Sequence, residues 1–153
     1  MNSFPPLTTQ QFLEVVRYTP LVSIDLVVDD GEGRYLVGLR TNPPAKGYWF
    51  VPGGRIRKNE PLDTAFGRIC QAELARLVEM KEAALLGLYD HFYEEDFTGG
   101  DAGTHYVVLA HRLTVPRAAL QLPEDQHSAY RWITAEEALA DNSVHPNTQA
   151  YFR

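Results

Sequence analysis

The stretch VPGGRIRKNE at residues 51–60, continued by PLDTAFGRICQAELARL at residues 61–77, decides the fold of this chain. The second part predicts an amphipathic helix, because its apolar residues recur every three or four positions. Asn59 or Glu60 is expected to cap this helix, and Pro61 fits its first turn. The expected apolar face comprises Leu62, Ala65, Phe66, Ile69, Cys70, Leu74 and Leu77.

Glu73 falls on the apolar face of the predicted helix. At about 100° per residue, it lies within about 40° of Leu62 and Phe66. An unpaired carboxylate in that position costs several kcal/mol or shifts its pKa, so Glu73 needs a partner. That partner is either an arginine such as Arg68 or Arg55, in a structural ion pair, or a bound cation. The helix alone leaves the two interpretations even.

The glycine pair before the helix favours a phosphate ligand with its metal. Gly53 and Gly54 let the backbone approach a ligand closely, and the turn directs backbone groups at the helix start. Gly54, Glu60, Arg68 and Glu73 follow the spacing of the Nudix box, G-x5-E-x7-R-E-U-x-E-E-x-G-U with U apolar. The stretch therefore resembles that box. The resemblance implies an α+β Nudix fold, a mixed β-sheet between α-helices with the box as strand, loop and helix.

The departures from the box concern its carboxylates. Ile69 and Ala72 stand where the pattern has glutamates, and Ala75 replaces its glycine, which affects helix termination more than chemistry. Glu73 alone remains of the helix carboxylates with which ordinary Nudix pyrophosphatases bind two or more metals, so fewer cations are expected. This thinned box resembles the GDP-mannose mannosyl hydrolase branch, which cuts the sugar C–O bond. The resemblance continues at residues 18–23, 40–42, 47–55, 91–93, 104–109 and 125–127.

The branch resemblance implies hydrolysis of GDP-mannose, with GDP-glucose as a second candidate, to GDP and the free sugar with inversion at the anomeric carbon. It gives the metal the Glu73 side chain, the Gly53 carbonyl and the Gln126 side chain, with phosphate oxygens completing the sphere. Oxygen ligands of this kind suit Mg²⁺, for which Mn²⁺ can substitute. The resemblance also implies that His127, directly after Gln126, is the general base, and an imidazole with a pKa of ~6.5 can take a proton from water.

Charged and polar residues elsewhere complete the expected site. Arg55 is expected on the departing diphosphate and Arg40 on a phosphate, although each alone is typical of a surface charge. The resemblance implies that His91 and Tyr106 lie around the diphosphate. It also implies that Asp25 lies near the sugar, whereas from the strand pattern alone a solvent-facing aspartate is equally expected.

Two further interpretations concern charged side chains. Arg68 lies across the box helix from Glu73, so a structural role bracing the loop through Glu60 is expected. The segment from His91 to residue 103 is predicted to be the longest loop, and its Glu-Glu-Asp run at 94–96 is typical of a solvated surface.

Composition limits the class of protein. The chain has 153 residues, 44% of them hydrophobic, which suits one globular domain over residues 1–153. A net charge of -6 argues against a nucleic-acid partner, and the single cysteine, Cys70, allows no internal disulfide. Neither a signal segment nor a membrane span is predicted, so a cytoplasmic protein without a membrane partner is expected. The family resemblance also implies a homodimer.

The remaining elements follow from local patterns. Thr8 and Gln11 predict a capping box for a helix that ends near Arg17, and Thr134 predicts the cap of a last short helix. Strands are predicted at residues 21–28, 34–40, 48–51, 84–89, 104–114 and 130–133.

Two alternatives stay open. In the first alternative, the protein is an ordinary Nudix diphosphatase that cuts a P–O bond. Ile69 and Ala72 argue against this alternative. In the second alternative, the protein is a nucleotide-sugar binding module without catalysis. The presence of Glu73, Gln126 and His127 makes this the weaker interpretation.

Overall fold

The structure is a computed structural model that describes residues 6–123 and 127–153, with residues 127 and 128 described by their backbone alone. Short 3-10 turns at Met80–Glu82, Arg117–Ala119 and Ala150–Phe152 accompany the main elements. In chain order these elements are α1 (Thr9–Tyr18), β1 (Leu21–Asp29), β2 (Tyr35–Arg40), β3 (Trp49–Phe50), β4 (Gly53–Arg55), α2 (Leu62–Leu74), β5 (Ala84–Tyr93), β6 (Thr104–Thr114), β7 (His127–Ile133), α3 (Ala135–Ala140) and α4 (Pro146–Gln149).

The strands form one mixed sheet, so the predicted α+β class is confirmed. The order β3-β2-β1-β6-β5 runs across it, while β4 pairs with β1 and β7 with β2. The β1 and β6 strands are parallel, and the other strand pairs are antiparallel. The central position of β1 matters for the site, because β1 carries Asp25.

The core lies on both faces of the sheet. Alternate residues of β1, such as Ile24 and Leu26, are buried against the apolar face of α2. Val27 points to the opposite face, where it joins a second buried cluster with Val37 and Ala138. Asp25 lies on that second face by the same alternation. No helix among the described residues is long and apolar enough to cross a bilayer.

The box helix is shorter than predicted. It ends at Leu74, because Ala75 adopts the left-handed conformation, with φ 51°, that the box assigns to glycine. Leu77 therefore lies outside the helix and is 70% exposed, and Leu62 at the first turn is 45% exposed. The expected caps are also wrong, since Pro61 occupies the N-cap position without a side-chain cap bond.

Other local predictions have mixed outcomes. The Thr8 capping box with Gln11 is present, as predicted. The strand predicted at 84–89 extends to Tyr93, so His91 belongs to β5 and not to a loop. Likewise β7 begins at His127, three residues before the predicted strand.

The acidic run at 94–96 is a solvated surface only in part, because Glu94 is exposed whereas Glu95 and Asp96 are not. Asp96 is 2% exposed and accepts hydrogen bonds from backbone N–H groups within its own loop. The Glu95 carboxylate accepts from the Ala45 N–H at 2.6 Å, which ties this loop to the loop after β2.

Candidate active site

One cavity of about 270 Å³ collects most of the residues that the sequence singles out. It opens where β4 meets β1 and extends towards the ends of β5 and β6. The candidate site residues in its wall are Asp25, Arg40, Gly53, Arg55, Glu73, His91 and Tyr106. Their proximity brings two cations, two carboxylates and an imidazole to one concave site, although the roles of these groups stay predictions.

The pairing of β4 with β1 fixes the floor of this cavity. Gly53 lies opposite Asp25 in the antiparallel register, and Gly54 lies opposite Ile24. A Cβ at Gly53 would collide with the Asp25 carboxylate and lie 2.7 Å from the Ile24 carbonyl oxygen. Only glycine therefore fits here, because a backbone atom cannot move aside as a side chain can.

Glu73 reaches the cavity from α2 and is 4% exposed. Its Oε1 accepts a long hydrogen bond, 3.4 Å, from the Gly53 N–H. Arg68 is committed elsewhere: its guanidinium binds both oxygens of Glu60, at 2.7 and 2.9 Å, and the Arg55 carbonyl at 2.8 Å. The predicted bracing role of Arg68 is confirmed.

Apolar side chains occupy the positions of the missing box glutamates. Ile69 is 1% exposed and packs directly under Gly54, whose added Cβ would lie 3.0 Å from Ile69 Cγ1. Ala72 is exposed. Among the residues that the structure describes, no group of three or more His, Cys, Asp or Glu side chains is arranged for a metal. Glu73 and backbone oxygens beside it are the donors that fit a hard cation such as Mg²⁺.

Contacts with neighbouring residues fix the guanidinium groups of the two arginines in the cavity wall. Arg40 donates from Nε to the Pro44 carbonyl at 2.7 Å and from Nη2 to the Pro43 carbonyl at 3.4 Å. The Arg55 guanidinium stacks on the Phe12 ring of α1, with Cζ 4.5 Å from the ring centre. Guanidinium groups fixed in this way are suited to bind phosphate oxygens.

A second cavity of about 420 Å³ continues from the first. The two share Gly53, Gly54, Arg55 and Glu73, and the second adds Phe12 and two further arginines. The shared residues thus lie between two hollows. This arrangement fits an elongated ligand with its anionic part in the middle.

Asp25 is joined to the C-terminal segment. Tyr151 donates its hydroxyl proton to Asp25 Oδ2 at 2.6 Å, and the same hydroxyl oxygen lies 3.4 Å from His91 Nε2. Burial raises the pKa of Asp25 to about 7, which the Tyr151 hydrogen bond and the nearby Arg40 charge oppose. Burial lowers the pKa of His91 to about 4, so this imidazole is neutral at physiological pH.

Of His127, the expected base, the structure describes only the backbone, and Gln126, an expected metal ligand, it does not describe. The backbone of His127 in β7 pairs with Arg40 in β2, and Arg40 lines the cavity. Gln126 lies outside the described residues.

Some residues around the cavity were missed by the sequence reasoning. Strand alternation could have found Ser23 from Asp25, and Tyr93 from His91, since each is two residues away on the same face. Phe50 belongs to a predicted strand, but the sequence does not indicate which face of the sheet its side chain occupies. Tyr151 carries no local signal, because it meets Asp25 only through tertiary packing, 126 positions along the chain.

Comparisons with known proteins agree with this architecture. A curated relative, the low-salt glycan biosynthesis protein Agl8 of Haloferax volcanii, is 40% identical over 114 residues, which cover 74% of this chain and 70% of Agl8. A MutT NUDIX hydrolase from Burkholderia pseudomallei superposes with a TM-score of 0.69 at 24% identity, covering 88% of this chain and 96% of that one.

A second solved NUDIX domain has a similar fold. The NUDIX domain of Shewanella oneidensis NrtR, solved with ADP ribose, has a TM-score of 0.63 at 19% identity, covering 95% of this chain and 96% of that one. The family model described as NUDIX domain matches residues 19–152. The predicted Nudix fold is therefore confirmed, and this chain belongs to the Nudix family of hydrolase domains.

Proposed function

We propose that this chain hydrolyses GDP-mannose, or the closely similar GDP-glucose, at the anomeric C–O bond to give GDP and the free sugar. The observation that carries the proposal is the box helix itself. It brings one carboxylate, Glu73, to the cavity, and the apolar Ile69 fills a position where the box has a glutamate. Attack at phosphorus in this family relies on several such carboxylates. A single one suits a cation that stabilises a leaving group.

The cavity supports an elongated anionic substrate. The diphosphate would lie at the junction of the two hollows, where Arg55 can donate to its oxygens, and Arg40 is directed at the same cavity. Asp25 would lie on the sugar side, where a carboxylate favours the positive charge that develops at the anomeric carbon. The glycan biosynthesis named for the Haloferax relative is consistent with a sugar-containing substrate.

The metal would be held by Glu73, the Gly53 carbonyl and Gln126, with Mg²⁺ preferred and Mn²⁺ as substitute. When bound, it supplies charge neutralisation at the departing diphosphate. His127 removes a proton from the attacking water, and Arg55 binds the diphosphate as it leaves. Water that attacks opposite the leaving group inverts the anomeric configuration, as in inverting glycosidases.

Several broader expectations belong to the same proposal. We expect one domain over residues 1–153, a homodimer and action in the cytoplasm on a small nucleotide sugar. Sedimentation velocity over a range of concentrations would check the homodimer, which predicts a single species of about twice the chain mass of 17.3 kDa. A single species at the chain mass would contradict it.

The deciding experiment is hydrolysis of GDP-mannose with Mg²⁺ in 18O-enriched water, followed by mass spectrometry and early proton NMR of the products. Label in free mannose beside unlabelled GDP, with mannose first appearing in the inverted configuration, supports the proposal. GMP and mannose 1-phosphate with label in a phosphate would identify an ordinary Nudix diphosphatase. Binding without turnover would identify the binding-module alternative. The Glu73→Gln variant is the control for metal-dependent turnover.

A further inference from the structure

Tyr151 has no role in the proposed reaction, yet it contacts the one carboxylate placed near the sugar. It lies in the 3-10 turn Ala150–Phe152 at the C-terminal end of the chain. Its hydroxyl donates to Asp25 Oδ2 at 2.6 Å, a short charge-assisted geometry. Tyr151 is not among the residues that line the cavity, so its effect on a ligand would pass through Asp25.

The C-terminal segment around Tyr151 is anchored on both sides. Gln149 donates from Nε2 to the Ala138 carbonyl at 3.0 Å and to the Asp141 carbonyl at 3.2 Å. Phe152 packs on the Tyr35 ring with centroids 4.9 Å apart. These contacts fix the backbone on either side of Tyr151. Its hydroxyl is therefore held in place by the fold and does not depend on a ligand.

The tyrosine hydroxyl also meets His91. Its single proton is given to Asp25, so the 3.4 Å contact with His91 Nε2 is a hydrogen bond when the imidazole donates. This donation requires the tautomer of His91 with a proton on Nε2. The three groups then form a chain in which His91 donates to Tyr151 and Tyr151 donates to Asp25.

The second carboxylate oxygen is constrained as well. Asp25 Oδ1 occupies the space beside Gly53 into which an added Cβ would project. One oxygen is thus held by the Tyr151 hydroxyl and the other is confined against the β4 backbone. These two contacts restrict the rotation of the carboxylate.

We propose that Tyr151 is a positioning residue that fixes the Asp25 carboxylate through the chain His91–Tyr151–Asp25, so that the sugar meets a pre-oriented acceptor. This inference rests on the proposed function, because it takes Asp25 to face the sugar. A correctly oriented group accelerates the chemical step, whereas a freely rotating one loses that advantage. The effect should therefore appear in kcat more than in KM.

The test uses Tyr151→Phe, which removes the hydroxyl and keeps the ring that packs edge-on against Tyr89 at 4.9 Å. Tyr89→Phe is the matched control from the same aromatic cluster. On GDP-mannose we expect Tyr151→Phe to lower kcat about tenfold, the scale of one hydrogen bond to a charged group, with KM within about twofold. In an Asp25→Asn background the same change should have no further effect on kcat.

Two kinetic results would overturn the inference. One is a Tyr151→Phe kcat within twofold of the unaltered protein. The other is an equal loss with and without the Asp25→Asn change, because additive effects mean that the two residues act independently.

A second readout separates this inference from the substrate proposal. The Tyr151 hydroxyl should give a downfield proton NMR signal that is lost in Tyr151→Phe, shifted in Asp25→Asn and unchanged in Tyr89→Phe. If the unaltered protein leaves GDP-mannose intact, the proposed function fails, and this signal alone decides whether Tyr151 orients Asp25. Absence of the signal would overturn the positioning role whatever the substrate.

Discussion

At the scale of the residue, His127 carries the most specific chemical expectation. Its backbone begins β7 and pairs with Arg40, whose side chain lines the cavity. The assignment of His127 as general base rests on the family resemblance and is a prediction for direct measurement.

We predict that His127→Gln lowers kcat for GDP-mannose at neutral pH by about a hundredfold, because positioned proton transfer contributes about 10² or more. The matched control is His105→Gln. His105 is partly exposed and pairs with Asp90 at 3.0 Å, so its loss should leave kcat within about twofold. Steady-state kinetics from pH 6 to 8 would check both. A loss below about tenfold for His127→Gln would argue against the base assignment.

Gly53 gives a second prediction at this scale. Gly53→Ala should abolish most turnover, because the new Cβ meets the Asp25 carboxylate and the Ile24 carbonyl at 2.7 Å. Gly54→Ala is the matched control, since its Cβ meets only the Ile69 side chain, which can shift. We expect a loss of kcat/KM at least about tenfold larger for Gly53→Ala, as one misplaced group can cost about 10² in rate. Equal losses would contradict this account of the site.

At the scale of the element, the box helix explains what sequence reasoning could and could not reach. The helical period of 3.6 residues predicts that Phe66 and Glu73 share the inward face of α2, and both residues are buried. The same period does not predict where the helix begins and ends. Leu77 continues the apolar pattern but lies beyond a left-handed residue, and an alanine there gives no sign of a helix end.

The helix end supports a stability prediction. Ala75→Gly should raise the free energy of unfolding by about 1 kcal/mol, because a left-handed conformation costs alanine about that much relative to glycine. The control Ala72→Gly, one turn earlier on an exposed helical position, should lower it by about 1 kcal/mol. Urea unfolding of the three proteins gives the comparison. If the Ala75→Gly variant is less stable than the parent, the assignment of Ala75 as the helix terminator is refuted.

At the scale of the whole molecule, residues far apart in the chain make the site. Asp25, Glu73 and His91 come from three different elements, and Tyr151 from the C-terminal turn reaches Asp25 behind the cavity wall. The box and the further family segments identify residues one by one. Which strand faces converge, and which distant residue supports them, depends on tertiary packing that local patterns do not encode.

Burial of His91 contributes one pH-dependent part to the stability of the whole fold, and the raised pKa of Asp25 contributes a part of opposite sign in an overlapping pH range. The folded pKa of His91 is about 4, below the reference value of 6.5, so unfolded chains bind a proton first as pH falls. The stabilisation is fully present above pH 6.5 and is lost as pH falls towards 4. The pKa shift of His91 corresponds to a contribution on the order of 3 kcal/mol to the free energy of unfolding.

The measurement is urea unfolding from pH 8 to pH 4 without added metal. Relative to the unaltered protein, His91→Gln should gain unfolding free energy as the pH falls from 6.5 to 4, whereas His105→Gln should follow the unaltered protein. An identical pH dependence in the His91→Gln protein would show that His91 does not contribute to acid sensitivity.

The hydrogen bond from the Ala45 N–H to the Glu95 carboxylate joins two loops that belong to different hairpins. One of these loops supplies the Pro44 carbonyl that directs Arg40. Substrate range in such a scaffold would be altered by exchanging loops with a relative. Here the two loops form one transferable unit, since a grafted loop at 41–47 without its acidic counterpart would lose the anchor behind Arg40.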